Sequence, residues 1–251
     1  MILKMCADES FDPKTSLLQV AGYLMTEDQY IALEEAVQEI RGVLPYFHMR
    51  ERHYKEHPEV YRKMISLVNP SSVIYGFCVS LHESAHRKFF SAKIRGQLLS
   101  YWMGKPYTYA LGQIMAACSF IVGQSPYQDC LISYIFENGH PNQGDADLFW
   151  GQLGQPEHVH LKKYYRYASH TFVDGKGPLG SVIQLCDILA WNANRAMREG
   201  KKTPEFEHLL KTNMCLIHHG KKDFLEAANA QMEKWLEVDE DGQPYKLPWI
   251  H

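Results

Sequence analysis

The segment Ser72-Val-Ile-Tyr-Gly-Phe-Cys-Val-Ser-Leu is apolar at nearly every position. A half-exposed strand would alternate, so a run of this kind predicts a strand covered on both faces, with helices on each side of a sheet. Asp129-Cys-Leu-Ile-Ser-Tyr-Ile-Phe is a second run of the same type. Between and around them lie segments of helical period. The chain is therefore expected to be an α/β protein.

The remaining elements follow from local signals. Met1-Ile-Leu-Lys-Met-Cys-Ala reads as a short strand, and the polar, Pro-containing Asp8-Glu-Ser-Phe-Asp-Pro reads as the turn that ends it. A strand from Ser16 to Met25 returns as the other half of a hairpin. Thr26 with Gln29 three residues on is a capping box opening a helix to about Arg41, with Glu34, Glu35 and Glu39 on its solvated face. Residues 46–57 lack a period, and a helix is expected between Pro58 and Pro70. Residues 84–124 read as helix in two pieces broken near Gly104-Lys-Pro106, and 144–153 as a short helix. A fifth strand is expected from Tyr164 to Val173. Leu179 to about Arg198 is the best helix of the chain, with Val182, Leu185, Cys186, Leu189 and Ala193 on one stripe. Two helices, near 204–217 and 222–238, close the pattern.

A hairpin, a third strand and then a parallel pair is an order compatible with a ribonuclease-H-like fold. The expected organisation is a five-stranded mixed sheet flanked by helices over residues 1–198, with helical insertions, and a C-terminal helical extension over 199–251 packed on the same domain. No repeat of solenoid length is visible.

Bulk properties narrow the function. The chain has 251 residues and a formal charge of −3, so any polyanion contact must come from a local basic patch or from bound cations. Its six cysteines have no Cys-x-x-Cys spacing and sit in apolar segments, the pattern of reduced, buried thiols. No segment has the roughly 20 consecutive apolar residues of a membrane span, and no signal peptide is legible. A cytoplasmic protein without membrane contact is the expectation.

Three acids carry the functional argument. Asp8 and Glu137 end apolar runs read as strands, and Asp187 stands among Leu185, Cys186, Ile188 and Leu189 on the best helix. A buried carboxylate is costly unless it is paired or binds a cation. Three meeting at one sheet edge would make a hard-metal site for Mg²⁺ or Mn²⁺, suited to phosphodiester cleavage. Each has a plainer explanation: Asp8 and Glu137 as turn-capping residues, Asp187 as the partner of a buried group. Glu9 faces away if the strand continues past Asp8, or joins the site if the turn has begun. His48 is a candidate proton shuttle and Lys176 a candidate phosphate contact.

His82-Glu-Ser-Ala-His86 matches the zinc-peptidase pattern and supplies a rival hypothesis, a zinc metallopeptidase using His82, Glu83 and His86. Its placement directly after a strand, with Arg87 and Lys88 following, argues for coincidence. His48, His53 and His57 with their charged neighbours read as a solvated segment that could touch a nucleic-acid backbone. His218-His219-Gly220 reads as a helix end. Tyr164-Tyr-Arg-Tyr reads as cross-strand packing before base stacking.

Ala7-Asp-Glu-Ser, Ala21-Gly-Tyr-Leu-Met, Phe47-His, Ile135-Phe-Glu-Asn-Gly and Gln184-Leu-Cys-Asp-Ile-Leu-Ala-Trp together are similar to an uncharacterised prokaryotic family, domain of unknown function 3800. The similarity covers roughly residues 1–198. The family departs from this chain in usually having Ala at the place of Cys186 and commonly Asp at the place of Glu137. The resemblance implies a ribonuclease-H-like fold and an acidic centre of Asp8, Glu137 and Asp187, with no assigned substrate. The expected function is a metal-dependent nuclease acting on nucleic acid. A non-catalytic ribonuclease-H-like module that binds nucleic acid or protein is the alternative.

Overall fold

A computed structural model describes residues 1–87, 105–139, 142–177 and 179–219. Six strands, β1 (Ile2–Asp12), β2 (Leu17–Met25), β3 (Tyr75–His82), β4 (Leu131–Glu137), β5 (Tyr167–Val173) and β6 (Met214–His219), form one mixed sheet in the order β5-β4-β1-β2-β3-β6. β2 runs antiparallel to both β1 and β3, whereas β4 runs parallel to β1, β5 to β4 and β6 to β3. The helices are α1 (Glu27–Arg41), α2 (His53–Glu56), α3 (Pro58–Leu67), α4 (Pro106–Gly123), α5 (Gln143–Leu153), α6 (Val159–Tyr164), α7 (Ser181–Glu199) and α8 (Pro204–Leu209).

The near-continuous apolar strands are covered on both faces, as their composition requires. Leu3, Met5, Ala7, Phe77, Val79, Ile132 and Tyr134 pack with α4 and α5. Cys6, Ala21, Tyr23, Cys78 and Ile135 point the other way, into a core shared with α1, α3 and α7. Alternate residues of one strand thus feed two cores.

The capping box is present in both directions: Gln29 N donates to Thr26 Oγ1 at 3.2 Å, and Thr26 N to Gln29 Oε1 at 2.9 Å. Glu34, however, is not on a solvated face. It is 5% exposed, and its carboxylate accepts the Ser181 and Val182 amides at 3.0 and 2.9 Å. It thereby satisfies two N–H groups at the start of α7, where the helix dipole favours negative charge.

Three boundaries differ from expectation. β1 does not stop before Asp8 but runs to Asp12, because β2 continues to pair with it from Asp8↔Ala21 to Asp12↔Leu17. The turn comes afterwards, closed by Asp12, which accepts from Lys14 N and Thr15 Oγ1 at 3.0 Å each. β5 begins at Tyr167 rather than Tyr164, since Val159–Tyr164 is a helix and Arg166 turns the chain at φ 50. Tyr164 and Tyr165 therefore end a helix instead of lining a strand. The segment expected as helix 204–217 is split, with α8 followed by β6 along the outer edge of β3. The sheet accordingly has six strands, the extension is not wholly helical, and His218 and His219 end a strand. The expected helix at 222–238, Gly220 and much of the first piece of 84–124 lie outside the described residues. Among the described residues no helix is long and apolar enough to cross a membrane.

Candidate active site

β1 and β4 pair in parallel register as far as Ala7↔Phe136. One residue further on stand Asp8 and Glu137. Both continue the side of Cys6 and Ile135, the side covered by α7. α7 crosses there closely enough for Cys186 Sγ to donate to the Cys6 carbonyl at 3.3 Å, which brings the next residue, Asp187, over the strand ends. Past this level β4 has ended while β1 continues, so a cleft of about 850 Å³ opens along that edge. Asp8, Glu9, Glu137, Asp187 and His48 all line it.

The acids are differently held. Asp8 is 6% exposed and accepts the Glu9 amide at 2.8 Å. Burial pushes its carboxyl well above the usual carboxylate range, and the charges of Asp187, Glu9 and Glu137 push it further. Asp187 is also raised, first by burial and then by Glu9; His48 and the Met49 amide oppose the shift. Glu137 lies against the loop after β5, where a Cβ on Gly175 would come within 2.5 Å of its Oε1. Glu9 turns to the opposite side of β1, because the strand continues; there Asn142 Nδ2 reaches its Oε1 at 3.4 Å. It still faces the cleft, which wraps around the strand edge. Among the described residues no Lys or Arg forms an ion pair with Asp8 or Asp187.

The segment after Pro45 is pinned by side chains. The amides of Phe47 and Met49 donate to Gln184 Oε1 and Asp187 Oδ2, at 2.8 and 2.7 Å. Those of His48 and Arg50 donate to His53 Nδ1 and His48 Nδ1, at 3.1 and 3.0 Å. Gln184 and Asp187, three apart on α7, thus fix a loop that has no secondary structure of its own. This loop brings His48 Nδ1 to 3.4 Å from Asp187 Oδ2. Nδ1 accepts the Arg50 N–H, so the neutral ring carries its proton on Nε2.

Lys176 is not among the cleft-lining residues; its Nζ lies 4.4 Å from the centre of the Tyr46 ring. The His82–His86 segment does not present two histidines from one helix. His82 is the last residue of β3, Glu83 pairs with Arg87 at 2.7 Å, and His86 is buried against the Tyr109 ring at 5.1 Å.

Of the cations of the cleft, sequence reasoning reached only Arg50, in the charged segment around His48, and missed Arg87, Arg195 and Arg198. Arg50, Arg87, Arg195 and Arg198 line it around the acids. One signal was available: Asp187, Trp191, Asn194, Arg195 and Arg198 recur at i, i+4, i+7, i+8 and i+11, the spacing of a single helical face, and all five line the cleft. That polar face adjoins the apolar stripe noticed in the sequence.

No three His, Cys, Asp or Glu side chains among the described residues stand close enough to enclose an ion by themselves. Asp8 and Asp187 line the same cleft and the Asp187 charge raises Asp8, so the two carboxylates are a donor set of the kind Mg²⁺ accepts when waters and substrate oxygens complete its shell. No protein-family model, curated protein or solved structure matches the chain.

Proposed function

We propose that this protein is a Mg²⁺- or Mn²⁺-dependent nuclease of ribonuclease-H-like fold, related to the domain of unknown function 3800 family. The strand order supports the fold: antiparallel β1, β2 and β3 are joined on the β1 side by parallel β4 and β5. β6 is then an addition to that plan. One observation carries the function. Asp8, Glu137 and Asp187, far apart in the chain, line one cleft in which burial raises both Asp8 and Asp187, helped at Asp8 by the charges of Asp187, Glu9 and Glu137 and at Asp187 by that of Glu9. Such a pair gains from any cation that neutralises it.

A divalent cation there would polarise a phosphoryl oxygen and supply an activated water. Asp8 and Asp187 would hold it, with Glu137 at the margin and substrate phosphate completing the coordination. Arg50, Arg87, Arg195 and Arg198 bring cationic groups to the cleft, Arg87 paired with Glu83 and Arg195 and Arg198 with Glu199, and would hold the phosphates on either side. His48, when protonated on both nitrogens with Nδ1–H toward Asp187 Oδ2, would give its Nε2 proton to the departing oxygen and remain as the neutral Nδ1–H ring.

The test is cleavage of labelled single-stranded and duplex DNA and RNA with Mg²⁺ or Mn²⁺ and with EDTA. Wild-type protein should cut only with metal. Asp8→Asn and Asp187→Asn should each slow cutting at least about a hundredfold while circular dichroism is unchanged. An Asp187→Asn protein that cuts at the wild-type rate would defeat the mechanism.

A second reading has one observation in its favour. Asp187 already accepts the Met49 amide at 2.7 Å, a structural task sufficient to explain its burial. On that reading the cleft binds nucleic acid without cutting it, and the wild-type protein would bind oligonucleotides but leave them intact with either metal.

A further inference from the structure

Arg195 lines two hollows. One is the acid cleft; the other, of about 280 Å³, is walled by Tyr54, Pro58, Tyr61, Arg62, Arg195 and Glu205. Trp191, one turn before Arg195 on α7, lines the acid cleft, and its ring centre stands 4.7 Å from that of Tyr54. The Arg195 guanidinium lies 5.4 Å from the centre of the Trp191 ring. An aromatic wall therefore runs from the acids into the second hollow with a cation at the junction.

The wall is braced from behind. Tyr54 contacts Tyr61 at 6.0 Å between ring centres, and the Tyr61 hydroxyl is bonded to Asn192 Oδ1 at 3.1 Å. Arg62 is held at the rim by its Nε, which donates to Pro58 O at 3.1 Å, and Lys55 Nζ lies 5.6 Å from the centre of the Tyr54 ring. Flat apolar rings between cations suit a ligand with a flat ring and an adjoining negative charge. At about 280 Å³ the space lies just under the usual range of ligand pockets, enough for one ring system but not a folded segment.

We propose that this hollow is a base-stacking subsite, which takes one unpaired nucleotide of a single-stranded nucleic acid whose neighbouring phosphodiester lies at Asp8 and Asp187. The proposal rests on the nuclease reading and narrows its substrate to unpaired strands. A nucleobase in the hollow offers a face to Tyr54, with Trp191 carrying the aromatic surface on into the acid cleft, while Arg62 and Arg195, the latter paired with Glu199 at 3.0 Å, meet the flanking phosphates. A base inside a duplex is already stacked and paired, and would have to leave its helix to enter.

The experiment is fluorescence anisotropy of labelled single strands (oligo-dT and oligo-U of equal length) and of a matched duplex, in EDTA so that nothing is cut. Single strands should bind more tightly than duplex. Tyr54→Leu and Trp191→Leu should each weaken single-strand binding about tenfold, whereas Tyr54→Phe and Trp191→Phe, which keep a ring, should stay within about threefold. Arg62→Ala, at an exposed position, should lower the salt slope by about one. Leucine variants that are folded and bind single strands as wild type does would overturn the subsite. So would equal binding of duplex and single strand, or displacement of the strand by an acidic peptide with the same ring dependence. Ring-dependent binding by a protein that never cuts would leave the subsite standing and remove the nuclease reading. Cutting by a protein whose binding ignores the rings would do the reverse.

Discussion

Two regions of α7 handle buried carboxylates in opposite ways. At the N-terminus, Glu34 receives two backbone N–H groups and the positive end of the helix dipole, so its charge is compensated. Midway along, Asp187 accepts one amide and lies 3.4 Å from a histidine nitrogen, while its neighbour Asp8 faces three acidic groups and accepts a single amide. Exposure does not separate them, since Glu34 and Asp187 are both 5% exposed. What separates them is the count of donors against acids. A compensated carboxylate builds the fold; an overloaded one is poised to take up a proton or a cation.

The largest expected effect is at the compensated end. Glu34→Ala leaves the Ser181 and Val182 amides without their acceptor and should cost about 2–5 kcal/mol in urea unfolding. Glu34→Gln, which keeps one acceptor oxygen, should cost clearly less. If Glu34→Ala melts like wild type, the two ends of α7 do not differ as described.

Asp187→Ala comes next. It frees the Met49 amide and one anchor of the loop at 47–50, a loss of about 1–3 kcal/mol, while Asp187→Asn keeps an acceptor and most of the stability. Comparing their unfolding midpoints separates the structural task of Asp187 from any catalytic one. Equal stability of the two variants would show that the amide bond contributes nothing.

The smallest effect has the opposite sign. Asp8 has a raised carboxyl, so below the ordinary carboxylate range both folded and unfolded states carry the proton and no penalty exists. As pH rises, the unfolded chain ionises first and the native state loses ground until its own raised value is passed. Asp8→Asn should therefore be more stable than wild type at pH 7–8, with the difference shrinking toward pH 4. Mg²⁺ should raise the wild-type melting temperature at neutral pH and leave that of Asp8→Asn unmoved. A stability difference independent of pH would contradict the electrostatic cause.

Much of this contrast was legible in residues. Asp8 and Glu137 end apolar runs, and a parallel register puts such endings side by side; Asp187 interrupts an apolar stripe. Glu34 was not legible, because a glutamate beside another glutamate on a surface-looking helix reveals nothing of a contact 147 residues away. β6 was hidden for a related reason. An edge strand offers only a short apolar run, here Met214-Cys-Leu-Ile, which a helix would fit as well, and its pairing with β3 is a tertiary fact. The extent of β1 was misjudged because polar residues were taken as a turn, when they mark the place where β4 ends and β1 faces a cleft. Arg195 and Arg198 lay in plain view on the face of Asp187, but that helix invites attention to its apolar side.

The acid pair can be questioned directly by carbon-detected NMR titration of the Asp8 and Asp187 carboxyl groups, with and without Mg²⁺ and a non-cleavable oligonucleotide. Both should titrate above the ordinary aspartate range in the apo protein, and both should fall when Mg²⁺ and oligonucleotide are present together. Ordinary titration of both groups, unmoved by metal or oligonucleotide, would mean that the two side chains share neither a field nor an ion.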